Sequence, residues 1–140
     1  MSGHSYVLKF DEYGNTRELY VYCSGTSVAG NSFINKGTAF SLEERDRLGL
    51  TGIFPPSVRS FDQQIENSRI KVDNKHDDIE RYIYIRSLFD RNVTLAHGLI
   101  KSDIARYMSI IYTPTVGLAC QNYSSMFRTA NGLHFYPGNI

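Results

Sequence analysis

The sequence predicts a mainly α body preceded by an N-terminal β-hairpin. Three observations carry this. Asp78–Ile100 contains no proline, and Ile79, Tyr82, Ile83, Ile85, Leu88 and Phe89, continued by Leu95, Ala96, Leu99 and Ile100, build a broad apolar face at helical spacing. Ser41-Leu42-Glu43-Glu44 has the form of a capping box, in which a serine hydroxyl and a glutamate three residues on satisfy each other's free backbone N–H groups. Ser5–Phe10 and Arg17–Cys23 are instead short runs rich in Tyr, Val, Leu and Phe, split by Gly14-Asn15, which supplies the positive φ of a tight turn.

Taken in order, the hairpin comes first. Two strands alone are marginal in water, so this pair is expected to lie against the helical body or a second subunit. Gly25-Thr26-Ser27-Val28-Ala29-Gly30-Asn31-Ser32 follows and nearly spells a phosphate-binding loop. Asn31 stands where the loop needs lysine, so phosphate charge would go uncompensated, and the stretch reads as a linker. The Ser41-capped helix runs to Leu48 and stops at Gly49. Pro55-Pro56 marks a corner, and Ser60 or Asp62 opens a second helix through about Val72. Asp73–His76 is a loop. His76-Asp77-Asp78 has metal-ligand residue types, but neighbours on a helix point apart, and a solvated helix start is the better reading. Asp78–Ile100 is one long helix, or two meeting near Asp90–Asn92. Ser102 caps a short helix, Asp103–Met108.

Ile110-Ile111-Tyr112-Thr113-Pro114-Thr115-Val116-Gly117 then forms a corner. Proline biases Thr113 towards an extended conformation and is itself favoured at a first helical position. The expectation is an extended entry, Thr113 as cap, and a helix Thr115–Phe127 with Val116, Ala119, Tyr123 and Phe127 in phase. Tyr112 sits on the corner. It is either a side chain held rigidly at a cleft or a core tyrosine with its hydroxyl bonded to backbone. Asn131-Gly132 ends the last helix, and residues 133–140 look like an entering strand closed by Pro137-Gly138.

Composition sets the outer bounds. The 140 residues carry a formal net charge of +1, which fits one domain and gives no electrostatic footprint for nucleic acid or an anionic membrane. Two cysteines, Cys23 and Cys120, are too few for a disulfide framework and point to free thiols. Asn92-Val93-Thr94 and Asn122-Tyr123-Ser124 match glycosylation sequons, a pattern that arises often by chance. No apolar run reaches membrane-spanning length and no signal core opens the chain. The expected place is intracellular, cytoplasmic by default, with the mitochondrial matrix left open.

Several ordered blocks resemble one family. Tyr112-Thr113-Pro114-Thr115-Val116-Gly117-Leu118-Ala119-Cys120 is similar to the signature of malic enzymes. So are Asn35-Lys36-Gly37-Thr38-Ala39-Phe40, Leu42-Glu43-Glu44-Arg45, Leu48-Gly49-Leu50-Thr51-Gly52-Ile53 with Pro55-Pro56, and Asp90-Arg91-Asn92. The blocks cover roughly Asn35–Leu133. The resemblance implies a multi-helix N-terminal domain of the malic enzyme type over residues 35–132, with residues 1–34 as an extension carrying the hairpin and residues 133–140 as the start of a next segment. It implies oxidative decarboxylation of malate to pyruvate with NAD or NADP and a divalent metal, Mg or Mn, in a longer parent. It makes Tyr112 the general acid that protonates the enol intermediate. A free phenol has a pKa near 10 and is protonated at neutral pH, as a donor must be. The family's re-protonating lysine, metal carboxylates and dinucleotide fold lie beyond this stretch, so the isolated chain is expected to be inactive and to bind no cofactor by itself.

Arg91 stands where fumarate-activated relatives grip the activator, and a planar guanidinium suits a dicarboxylate. Their second arginine and nearby acid align with Asn67 and Arg59, which puts activation in doubt. Arg91 otherwise serves an ion pair with Asp90 or Asp103, or a subunit contact. The resemblance also implies a homo-oligomer. Two other readings stand beside the enzyme domain. One is a non-catalytic assembly module whose hairpin edges pair with another chain. The other is the malolactic enzyme, which Thr113 and Val116-Gly117 fit less well.

Overall fold

The computed structural model describes residues 5–126, 129 and 137–139. Its elements run β1 (Tyr6–Phe10), β2 (Thr16–Val21), α1 (Thr26–Ala29), a 3-10 turn (Gly37–Ala39), α2 (Leu42–Arg47), α3 (Phe61–Asp73), α4 (Asp78–Phe89), α5 (Val93–Ser102), α6 (Ile104–Ile111), α7 (Thr115–Gln121), α8 (Tyr123–Met126) and a second 3-10 turn (Pro137–Asn139). The fold is mainly α with one antiparallel hairpin, as the periodicity requires.

Two apolar clusters organise it. The larger joins α3 to α6 through Val72, Ile85, Leu88, Leu95, Ala96, Leu99, Tyr107 and Ile110. These include the buried residues of the predicted stripe; Tyr82, Phe89 and Ile100 pack at its margin. The smaller gathers Val28, Ile34, Phe40 and Leu50, with Tyr6, Val21 and Cys23 of the hairpin segment against it. The hairpin thus packs on the body through its Tyr6–Val21 end.

Side-chain hydrogen bonds tie the two clusters. The Asn35 amide donates to Ala29 O at 2.9 Å and Arg91 O at 3.0 Å, and its oxygen accepts from Gly37 N at 2.7 Å. Gln64 on α3 donates to Lys36 O at 3.0 Å. Arg45, only 3% exposed, spreads its guanidinium over four carbonyls: Phe40 (3.0 Å), Pro55 (2.6 Å), Thr38 (3.1 Å) and Ser57 (3.3 Å). The corner marked by Pro55-Pro56 is therefore held by a cation inside the fold.

The caps decide most boundaries. Ser41 and Glu44 form the expected capping box, and α2 ends where Gly49 adopts φ 64°. Gly49 N donates to Asp46 O and Leu50 N to Arg45 O, a Schellman closure that sends Leu50 into the smaller cluster. Ser60, not Asp62, caps α3, in a second capping box with Gln63. Asp77 caps α4, and His76 stays exposed beside it. The long apolar stretch is two helices, because Asn92 turns its side chain onto Leu95 N and starts α5. Asn92 is buried and Asn122 donates to Leu118 O, so both sequon asparagines are engaged within the fold.

Five local expectations are corrected. Residues 25–32 are not a plain linker: α1 forms there and buries Val28 completely. Asp103, not Ser102, caps α6; the Ser102 hydroxyl donates back to Leu99 O, while Asp103 accepts from Arg106 N. The approach to Tyr112 is helical, since α6 continues through Ile111. Thr113 does not cap the next helix: Pro114 occupies that position after a cis Thr113–Pro114 peptide, and no side chain caps it. That helix also breaks at Asn122, with α8 following. Phe127, Asn131-Gly132 and residues 133–136 and 140 lie outside the described residues; Pro137–Asn139 is a 3-10 turn. Among the described residues no helix is long and apolar enough to cross a membrane.

Candidate functional site

The Tyr112 corner is built from α6 and α7. Tyr107 and Ile110 drive α6 into the larger cluster, and an Arg106–Asp73 ion pair fastens α6 to α3. The arginine holds the Asp73 carboxyl below the usual carboxylate range. Tyr112 then leaves the helix in an extended conformation (φ −126°, ψ −152°). Its N–H still donates to Met108 O at 2.9 Å, and its carbonyl accepts from Val116 N at 2.9 Å. Both sides of the bend are pinned by the backbone of the residue that carries the phenol.

Thr115 supplies the third pin. It is 2% exposed, and its hydroxyl donates to Ser109 O at 2.8 Å across the bend. A hydroxyl buried here is satisfied only if α6 and α7 keep this relation. Sequence reasoning placed the structural hydroxyl at Thr113; the cue for Thr115 was its place one turn ahead of buried Ala119.

The side chain of Tyr112 is 64% exposed, and among the described residues its hydroxyl has no hydrogen-bond partner. It is not the core tyrosine of this region. That is Tyr107, fully buried, with its hydroxyl unsatisfied among the described residues. Burial pushes the Tyr107 phenol above its ordinary pKa. Ile104, Met108 and Leu118 leave large apolar surface exposed on the same two helices as the corner.

Arg91 follows the end of α4. Its Nε donates to Ser87 O and one Nη to Ser87 Oγ, each at 3.0 Å, folding the side chain back along α4. No hydrogen bond or ion pair joins Arg91 to Tyr112, Asn67 or Arg59 among the described residues. Asn67 is exposed on α3 and Arg59 precedes it. The structure therefore does not bring the two candidate residues into one constellation.

The family resemblance implies a divalent metal and a dinucleotide. No cluster of three His, Cys, Asp or Glu side chains that could hold a metal occurs among the described residues. The only sheet among them is a two-stranded antiparallel one, without the parallel βαβ unit that cradles a dinucleotide.

Comparison with known proteins bears on that geometry. The family described as malic enzyme, N-terminal domain, matches residues 89–140, which hold α5, α6, the Tyr112 corner and α7. The NAD-dependent malic enzyme 2 of Photobacterium profundum is 40% identical over 131 residues, covering 91% of this chain. Over residues 89–140 the chain matches the malic enzyme N-terminal domain, and most of it is similar to NAD-dependent malic enzymes. The NAD-dependent malic enzymes of Psychrobacter cryohalolentis and Colwellia psychrerythraea are 39% and 41% identical, over 88% and 84% of the chain. The chain spans 24%, 22% and 21% of the three relatives' own lengths, so three quarters or more of each has no counterpart here. The matches also take in more of the chain than Asn35–Leu133, the reach of the sequence blocks.

Proposed function

We propose that this chain acts as the N-terminal domain of an NAD-dependent malic enzyme, and that Tyr112 protonates the pyruvate enolate. The reading rests on one observation. Of the two tyrosines at the end of α6, Tyr107 is sealed in the core and Tyr112 is held out of it on a bend pinned at three points. A general acid needs that combination of access and fixed position. Loss of carbon dioxide from the oxidised intermediate leaves an enolate whose terminal carbon takes a proton. The Tyr112 O–H bond breaks, the proton forms the methyl group, and the phenolate is re-protonated from a group outside this chain. The names of the relatives support NAD rather than NADP for the parent.

The test is Tyr112→Phe in the full-length enzyme that carries this domain. Removing a positioned general acid lowers turnover by about 10²–10⁴-fold. Solvent hydrogen exchange into the pyruvate methyl group should fall with it, while malate affinity stays close to wild type. Undiminished decarboxylation and exchange would refute the role.

A second role, self-association, is favoured by a separate feature. The hairpin exposes Val7, Leu8, Phe10, Leu19, Tyr20 and Tyr22, more apolar surface than a two-stranded appendage of a monomer has reason to carry.

A further inference from the structure

The hairpin has a direction. Tyr22 N donates to Ser5 O at 3.0 Å, and Val7 faces Tyr20 while Lys9 faces Glu18. Hydrogen-bonded pairs alternate along an antiparallel ladder, so Tyr22, Tyr20 and Glu18 direct their backbone groups at β1. Leu19 and Val21 direct theirs the other way. Among the described residues the sheet has only two strands, so this outer edge of β2 has no partner strand. Leu19 and Val21 also line a cleft of about 760 Å³, with Ile34 and Phe40 and the charged side chains of Lys36, Glu44 and Arg47.

The face above the cleft is apolar. Leu8 pairs with Leu19 and Tyr6 with Val21, so these four share one side of the sheet. Tyr6 and Val21 reach the smaller cluster; Leu8 and Leu19 overhang it, 39% and 42% exposed. The opposite face carries exposed Val7 beside Lys9, Glu18 and Tyr20, which are joined by a Lys9–Tyr20 bond of 3.1 Å and a Tyr20–Glu18 bond of 2.7 Å. One side of a β2 extension would therefore be apolar and the other mixed, with the Lys9–Tyr20–Glu18 network on it.

The geometry points to a second copy of this chain as the occupant, its β2 pairing antiparallel with this β2 across a two-fold axis to give a four-stranded sheet β1-β2-β2-β1. An isologous contact needs a self-complementary edge. Centring the axis on Leu19 sets each Glu18 opposite the other copy's Tyr20, whose hydroxyl already donates to a Glu18 within one chain. Centring it one residue back, on Glu18, sets two carboxylates face to face, which cross-strand energetics disfavour. The overhanging Leu8 and Leu19 of both copies then form one apolar strip. This contact uses neither Tyr112 nor any group assigned to chemistry, so it stands or falls separately from the catalytic proposal.

The test uses Leu19→Pro in the 140-residue chain. The Leu19 N–H faces away from β1, so proline there removes no bond from the hairpin, yet it removes a donor from each half of the paired edge. Sedimentation equilibrium should show a wild-type dimer, and the variant should associate at least tenfold more weakly, with unchanged helical circular dichroism. Leu19→Lys, which keeps the N–H but puts a charge into the apolar strip, covers the case in which proline disturbs the strand, and should weaken association likewise. A wild-type chain that remains monomeric at the highest concentrations measurable overturns the proposal and leaves the cleft to another occupant. So does a dimer that both variants leave at wild-type strength.

Discussion

Replacing Arg45 by methionine tests whether this domain depends on a buried cation. Methionine keeps much of the apolar stem and deletes the charge and all four donated bonds. Thr38 O would keep one partner, because Arg59 N also donates to it at 3.0 Å. The carbonyls of Phe40, Pro55 and Ser57 would each lose theirs. The Phe40 carbonyl belongs to a buried residue, and a buried acceptor left unmade costs about 1–3 kcal/mol. Pro55 and Ser57 are exposed residues, so water replaces part of what they lose. The sum is about 2–4 kcal/mol. In a domain of this size that is roughly a 10 °C fall in Tm. Arg45→Lys should cost about half as much, since one ammonium cannot span a fork of acceptors. Urea titration followed by circular dichroism reads both. Hydrogen exchange at the Arg59 amide should accelerate in the methionine variant, because the 55–60 segment is what the guanidinium holds. A methionine variant within 1 kcal/mol of wild type, an error band set by the usual scatter of surface substitutions, would refute the reasoning.

Other outcomes follow from single contacts. Tyr107→Phe removes a buried hydroxyl with no partner among the described residues, so it should be neutral or stabilise by about 1 kcal/mol; a clear loss of Tm would reveal a bridging water or other partner. The same phenol gives a pH signature. Its pKa is raised in the fold, so its contribution is fully present below the unfolded value near 10 and is lost as pH rises beyond it; the phenylalanine variant should lack that part of the alkaline decline in stability. Gly98→Ala places a methyl 2.6 Å from Phe61 Cζ and 3.1 Å from Ile65 Cδ1, where α5 meets α3. Overpacking of about 1–3 kcal/mol should outweigh the roughly 1 kcal/mol that alanine gains in helix propensity, and thermal melts should show net destabilisation.

What the sequence disclosed depended on how local the cause was. Capping boxes are local, and Ser41 announced its helix correctly. At Ser60 and Asp62 two hydroxyl or carboxylate candidates competed; Gln63, three residues beyond Ser60, was the discriminating sign. Asp103 beat Ser102 because a serine at the end of a helix can instead donate back to the preceding turn, as Ser102 does. The division of Asp78–Ile100 was left open because the apolar face runs on through the break; only the Asn92 side chain stops the helix there. Arg45 was invisible for a different reason. Within Leu-Glu-Glu-Arg it reads as a surface charge near a helix end, and its acceptors come from carbonyls up to twelve residues away. Nothing local distinguishes an arginine that will face water from one that will be enclosed. The N-terminal segment was undervalued similarly: Val28 looked like part of a linker because the cluster that buries it is assembled from residues as distant as Leu50.

The sequence leaves Tyr112 open between a cleft and the core, and the structure turns it outward. An α-helix turns by about 100° per residue, so a residue five beyond Tyr107 projects about 140° away from it. Tyr107 and Ile110 both face the core. Any continuation of α6 with regular geometry therefore carries position 112 out of the core, whatever the next segment does. An extended entry after Met108 would give no such answer, since on a strand Ile110 and Tyr112 share one face. Helical phase reconciles buried Tyr107, buried Ile110 and exposed Tyr112 in a single element. The bend that follows then fixes what phase alone leaves free: the Tyr112 backbone is bonded to Met108 before it and Val116 after it, and Thr115 ties α7 to Ser109. Moving the phenol thus means disturbing the packing of α6 itself, which is how a residue with a mostly solvent-exposed ring keeps a fixed origin.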